Sequence, residues 1–413
     1  MTRRHHGDFD VLVIGAGPAG STAALLLARA GMSVAVVEKS RFPRRKVCGE
    51  YLSATTLELF DRLGLLSDFI GLAGPEISRV GIFSDQRILT APMPMIDGQV
   101  GRWGRALRRE TLDSWLLAKA VEAGAAIFQP FQVTKIDSRD PVRFAVIESR
   151  DSAEKFEIEA CQIIAAHGSW EVGQLATEAK KQQPKANDLL GFKAHFKNTQ
   201  LPDDLMPMLI FPGGYGGMVT CDGNVASLSC CIERTTLQTA RKAFPNKRAG
   251  EAVHNHIVRS TKGVSEVVGD AEPVGEWMSA GPINPGFRST SQNGVFVVGN
   301  AAGESHPIIA EGISMAIQSS WLLAHRLLES ADTSFENIAR NYEKDWRSAF
   351  GSRIRAANIF ARVALSGRRH SMLSRAFVNF PKLLTLGAKL SGKVNRLVVS
   401  DAAFATSDRR NVV

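Results

Sequence analysis

Residues 9–39 leave the chain few ways to fold. Asp10-Val11-Leu12-Val13-Ile14 is a short β-branched run of the kind that forms a buried parallel strand. It breaks into Gly15-Ala16-Gly17-Pro18-Ala19-Gly20, which has the spacing G-x-G-x-x-G. Ser21 to Ala30, rich in Ala and Leu, predicts a helix closed by Gly31 at its C′ position. Ser33 to Val37 returns as a strand and ends at Glu38. Gly15 allows the tight turn, Gly17 lets backbone come close to a pyrophosphate, and Gly20 lets the helix pack tightly on the strand. The helix start at Pro18 and Ala19 presents N–H groups and a positive dipole end to phosphates. Glu38, followed by Lys39, stands at the separation expected of a ribose-binding acid. Together these features predict a dinucleotide-binding α/β unit.

At 413 residues the chain exceeds one simple core, so at least two domains are expected. No stretch has the unbroken apolar length of a membrane span, and the basic N-terminus runs into the first strand without a signal-peptide core. A cytoplasmic protein is the expectation. Five cysteines show neither C-x-x-C spacing nor a secreted framework, which predicts reduced thiols and no metal. The net charge of +9 suits an anionic cofactor. With no nucleic-acid-reading module beside it, that charge does not point to DNA or RNA.

The basic cluster Arg41 to Lys46 follows Glu38, where it either meets phosphates or forms a solvated loop. A helix is expected from Thr55 to Leu63, ended by Gly64, and a hairpin outside the parallel sheet over residues 76–98. Arg109-x-x-Leu112-Asp113 leads into a helix over Ser114 to Glu122. A strand at 126–132, a meander to Glu159 and a strand at 163–166 come next, stopping at His167-Gly168-Ser169-Trp170. From Leu189 to Glu233 the texture is that of an antiparallel sheet, with the glycine-rich run Phe211 to Met218 inside it. A late strand enters Gly299-Asn300, a helix is expected from Ala310 to Glu329, and basic helices with apolar stripes follow Glu336.

The glycine turn, the basic loop, the Arg-x-x-Leu-Asp start and Val297-Val298-Gly299-Asn300-Ala301-Ala302-Gly303 occur in an order that resembles the FAD-dependent oxidoreductases of the p-hydroxybenzoate hydroxylase fold. These include aromatic hydroxylases, flavin-dependent halogenases and geranylgeranyl reductases. The resemblance spans roughly residues 8–330. It implies an α/β architecture: a Rossmann-type FAD-binding domain (1–75, 101–184, 276–330), an inserted antiparallel-sheet substrate domain (76–100, 185–275) and a C-terminal helical region (331–413). FAD would lie against Gly15, Gly17, Pro18, Ala19, Gly20, Glu38 and Lys39, with Arg44 and Arg109 nearby. Gly299 and Asn300 would meet the ribityl and pyrophosphate groups. A helix starting near Pro307, with Gly312 and Ile313, would point at the pyrimidine edge of the flavin. Three departures stand out. Asn300 replaces the usual Asp, His167-Gly168-Ser169-Trp170 replaces an Asp-Gly motif shared with NAD(P)H contacts, and the Trp-x-Trp-x-Ile-Pro signature of tryptophan-type halogenases is missing.

The resemblance implies first a monooxygenase that hydroxylates a hydrophobic aromatic or polyketide-like molecule through a flavin C4a-hydroperoxide. The alternative is a reductase of isoprenoid or other alkene chains, and halogenation ranks lower. A flavin-binding protein without turnover is the rival from another class. NAD(P)H or a separate reductase would supply electrons. Cys48, in a stretch similar to the loop that geranylgeranyl reductases place over the flavin, is a catalytic candidate or an inert small residue. His306 is an acid–base candidate or a helix cap. Phe192, Phe196, Met206, Met208, Phe211, Tyr215 and Met218 are expected to border a hydrophobic substrate cavity, half of them as ordinary sheet core, because alternate positions in a sheet face opposite sides. His167 and His195 read as structural histidines. The basic C-terminal stripes suit either a peripheral membrane contact or a helical cap over the substrate domain.

Overall fold

The computed structural model describes residues 5–96, 103–139, 142–170, 173, 175–178, 180, 183–329, 334–366, 382–394 and 397. Strand β1 (His5–Ile14), helix α1 (Pro18–Arg29) and strand β2 (Val34–Val37) form the expected first unit, with β1 parallel to β2. The helix starts three residues ahead of the Ala/Leu run, because Pro18 at its first position has no N–H to lose. Packing is tightest at Gly20, where a Cβ would stand 1.8 Å from the Gly15 carbonyl oxygen. Gly15 itself is left-handed at φ +99°.

Next come β3 (Tyr51–Leu52), α2 (Ala54–Arg62), α3 (Leu66–Leu72), β4 (Arg79–Ser84) and β5 (Arg87–Pro92). They are followed by β6 (Arg105–Ala106), α4 (Arg109–Glu122), β7 (Ala126–Phe128), β8 (Phe131–Arg139), β9 (Val142–Ser149) and β10 (Lys155–Ala165). The last meander strand and the expected strand at 163–166 are one element, β10. Its first half pairs antiparallel with β9, and its far end lies parallel to the late strand at 295–297.

A second sheet is built from β11 (Leu189–Lys197), β12 (Leu205–Phe211), β13 (Gly214–Cys221) and β14 (Val225–Glu233). After α5 (Arg234–Ala243), α6 (Ala249–Ser260) and α7 (Lys262–Val268), β15 (Glu272–Ile283) completes it, crossing the expected boundary at 275. Its order is β15-β11-β14-β13-β12-β4-β5, so the early hairpin joins this sheet, and the β4–β12 pair is parallel in an otherwise antiparallel array. The chain then passes through β16 (Gly286–Phe287), β17 (Ser291–Gln292), β18 (Val295–Val297) and β19 (Gly303–Glu304) to α8 (Gly312–Glu329), α9 (Phe335–Leu365) and α10 (Lys382–Leu390). The first sheet has the order β17-β18-β10-β1-β2-β7, with β8 and β9 attached beside β10.

The second sheet has two unlike faces. Phe192, Phe196, Leu209 and Phe211 pack with Val253, Ile257 and Val264 of the covering helices. On the other face Ile82, Ile210 and Tyr215 pack with Ala361 and Ala364 of α9 and Leu384 of α10. The C-terminal helices therefore roof the sheet face that looks toward the first sheet. Arg368, Arg369, Arg375 and Arg396 of the basic tail lie outside the described residues. No described helix is long and apolar enough to cross a membrane.

Candidate active site

A cavity of about 1410 Å³ runs from the glycine turn to the roof helices. Gly15, Gly17, Pro18 and Ala19 line its start, while Gly20 lies beneath, committed to helix packing. Glu38 also lines it, and its carboxylate is held from behind. Oε2 accepts from Ala16 N at 2.8 Å and Oε1 from Ser40 N at 2.8 Å. A carboxylate has further lone pairs, so it can still accept from a hydroxyl. Lys39 lines the same end, its ammonium pKa lowered chiefly by burial.

The basic loop is solvated at Arg41 and turns inward at Arg44 and Lys46. Arg44 is largely buried, its Nη2 3.7 Å from Glu38 and 3.5 Å from Asp113, and its Nε and Nη1 are buried without a hydrogen-bond partner. Arg109 is locked by Asp113 through two 2.7 Å bonds, which favour its charged form against burial. A Cβ on Gly17 would meet nothing nearer than Arg109 Nη2 at 3.8 Å and Arg44 Nη2 at 3.9 Å. That leaves an open slot flanked by two guanidinium groups. Burial, then the charges of Arg44 and Arg109, pull the Lys46 pKa down to about 8.

Cys48 is half-buried on the cavity wall, its Sγ accepting from Glu50 N at 3.4 Å. Gly299 and Asn300 line the cavity from the late turn. Gly299 is left-handed at φ +64°, its N–H donates to Ser319 Oγ at 2.7 Å, and its Cβ position lies 2.9 Å from Ala19 Cβ, so the late turn abuts α1. The expected helix start near Pro307 needs correction. Pro307–Ile309 is a separate 3₁₀ turn, Ala310 is left-handed at φ +53°, and α8 begins at Gly312. Pro307, Gly312 and Ile313 all line the cavity, and a Cβ on Gly312 would meet nothing within 4 Å.

Among the expected substrate residues, Met206, Met208, Tyr215 and Met218 reach the cavity. Phe192 and Phe211 belong to the helix-backed face, with Phe196, because period-two alternation turns Met206, Met208 and Ile210 toward the cavity instead. His306 does not line the cavity, and its side chain makes no cap bond. It is hydrogen-bonded through Nδ1 to the Tyr215 hydroxyl, with ring centres 5.2 Å apart. Burial pulls its pKa down to about 4, so the imidazole is neutral at physiological pH. His167 is satisfied by Gly168 O at 2.9 Å and Thr177 Oγ1 at 3.0 Å. In place of the Asp-Gly motif, Ser169 Oγ and Trp170 Nε1 donate to Glu304 at 2.7 and 2.9 Å.

One feature was missed from sequence. Glu50, buried and left-handed at φ +62°, joins the Cys48 loop to the second sheet. Its carboxylate pairs with Lys193, takes 2.8 Å hydrogen bonds from Arg109 N and His195 Nε2, and accepts from Cys221 Sγ at 3.6 Å. Burial alone would raise its pKa. The bond to His195 and the Lys193 charge outweigh burial and hold the carboxyl at about 2. Lys193 and His195, alternating within an apolar strand, were the available signal. In the roof, which the sequence offered as a helical cap, Lys393, just past α10, donates to Ile309 O at 2.9 Å and lies 3.3 Å from Glu311 Oε1, at the foot of α8.

The model of the FAD-binding domain family matches residues 8–355. The chain belongs to that family. Its cofactor is FAD, and the cradle fits: the unpartnered Arg44 donors and the open slot at Gly17 suit a pyrophosphate. This FAD-binding protein is 28% identical over 374 residues to digeranylgeranylglycerophospholipid reductase 2 of Methanopyrus kandleri, covering 86% of this chain and 88% of that one. In fold it is similar to the flavin-dependent brominase Bmp2, with TM-score 0.74, 18% identity and coverage of 97% and 98% of the two chains. It is also similar to a geranylgeranyl bacteriochlorophyll reductase-like protein of Thermoplasma acidophilum, with TM-score 0.65, 19% identity and coverage of 99% and 97%. At those identities the two structures speak for the fold alone.

Proposed function

We propose that this flavin-dependent oxidoreductase is a reductase that saturates carbon–carbon double bonds in a long apolar, isoprenoid-like chain. The observation that carries the reading is the continuity of the cofactor cradle with an apolar space between Met206, Met208 and Ile210 and the roof residues Phe360, Val363 and Leu384. The named activity of the Methanopyrus relative supports it. Oxygen insertion into an aromatic substrate, the leading expectation from sequence, has less support, because several of the sequence relatives carry the name of a reductase.

FAD, when bound, supplies a hydride to one carbon of the double bond. The other carbon needs a proton, and Tyr215 is the candidate donor on the cavity wall. With its proton on Nδ1, neutral His306 donates to the phenol oxygen, so the Tyr215 hydroxyl hydrogen is not committed to His306. The Tyr215 pKa is raised chiefly by burial, which keeps the phenol protonated until that step. Arg44, Arg109 and Glu38 hold the dinucleotide, and Cys48 borders the reacting space. NAD(P)H or a separate reductase replenishes the electrons.

The test is anaerobic incubation of dithionite-reduced, FAD-loaded protein with a geranylgeranyl lipid, read by mass. Gain of two hydrogens per double bond is expected, and Tyr215→Phe should slow it without loss of FAD. Product formed only in oxygen, with gain of an oxygen atom, would overturn the proposal. Leu386 is an exposed apolar residue of α10 one turn before the exposed Lys389, which suits peripheral contact with anionic lipid. Equal, negligible pelleting with anionic vesicles by the full chain and by one ending near residue 350 would remove that part.

A further inference from the structure

Most glycines around the cavity have a structural reason to be glycine. Gly20 has the Gly15 oxygen against it, and Gly15 and Gly299 are left-handed. Gly387 has no such reason. It lies inside α10, where glycine weakens a helix relative to alanine. Its φ is not positive, and nothing outside its own helix backbone comes within 4 Å of the place a Cβ would occupy. It nevertheless lines the cavity, as do Leu383, one turn before it, and Ser391, one turn after. Across the space, Leu384 clusters with Ile82 and Met208, and Ala388 clusters with Met206. A helix position that forgoes both propensity and packing, and opens into a cavity, is explained by what must fit there.

We propose that Gly387 determines substrate length: the room it leaves in the roof is taken by the apolar chain, so it sets the longest chain the cavity accepts. The inference rests on the apolar-chain reading above and deepens it. A side chain at this point would occupy volume that a long chain needs and a short chain does not. The cofactor cradle, formed by other elements, would be untouched.

The test measures binding rather than turnover. Full-length, FAD-loaded, oxidised protein is titrated with geraniol, farnesol and geranylgeraniol, followed by the flavin absorbance change. In the unmodified protein affinity should rise with chain length. Gly387→Phe should weaken geranylgeraniol by about tenfold or more while geraniol stays within about twofold. Gly387→Ala, a better helix former, should fold well and show the same ordering in smaller degree. Leu390→Phe, on the exposed side of the same helix, should bind all three alcohols as the unmodified protein does. Equal affinities across the series in both Gly387 variants and the unmodified protein, equal losses for all three alcohols, or the same pattern from Leu390→Phe would each overturn the inference. Chain binding that follows the expected pattern without any reduction would instead overturn the reductase reading and leave this one standing.

Discussion

Replacing Glu50 with Gln tests the buried junction between the two sheets. The substitution keeps shape and removes one charge, at a site 1% exposed whose partner Lys193 is 0% exposed. Lys193 would then be a buried cation without its counter-charge, a change that costs about 3–5 kcal/mol. The carboxyl pKa gives a similar figure independently. A drop from 4.5 to about 2 corresponds to about 3 kcal/mol of preference for the charged form. Because the folded-state value is the lower one, this stabilisation is complete above 4.5 and is lost as pH falls toward about 2. Urea unfolding of the FAD-loaded protein at neutral pH should therefore show a loss of about 3 kcal/mol for Glu50→Gln. The double variant Glu50→Gln/Lys193→Met should recover part of it, since both buried charges are gone. A loss below about 1 kcal/mol, or a double variant worse than the two single losses added, would refute the reasoning.

Gly17→Val should leave the protein folded, because the slot is open in the structure, but colourless after purification, since the side chain fills the pyrophosphate slot. Gly20→Ala should instead lose folded, soluble protein, with Cβ 1.8 Å from backbone oxygen. His306, whose pKa is lowered to about 4 by burial, binds its proton more weakly folded than unfolded. Stability should consequently fall as pH drops from 6.5 toward about 4, and His306→Gln should flatten that part of a melting-temperature profile. Ala310→Gly, at φ +53°, should raise unfolding free energy by about 1 kcal/mol, because left-handed backbone is costly only with a Cβ.

The first unit was legible because its signals are local. The β-branched run, the glycine spacing and the closing Gly31 act on their own neighbours, and β1, α1 and β2 form over the expected segments, with β1 and α1 starting earlier than the pattern put them. The second sheet was legible as strands but not as faces. Alternation says that Phe192 and Lys193 point to opposite sides, and nothing along the strand says which side meets a cavity. That was decided by α6 and α7, which cover the Phe192 face, and by the C-terminal helices, which roof the other. The split at Pro307–Ala310–Gly312 was hidden for a related reason: the sequence there is helix-compatible, and Ala310 takes a left-handed conformation that its own side chain disfavours.

By itself, then, the amino-acid order determined the nucleotide cradle, most strands of the two sheets and the membership in an FAD-binding superfamily, whereas α3, the helices α5 to α7 and strand β15 were not read from it. Tertiary structure alone decided that Glu50 meets His195 across 145 residues, that His306 backs Tyr215 rather than facing the cavity, and that the tail becomes a roof. The physical reason is range: backbone preference and side-chain period are set within a few residues, whereas burial, charge pairing and the shape of a cavity exist only once distant segments are brought together.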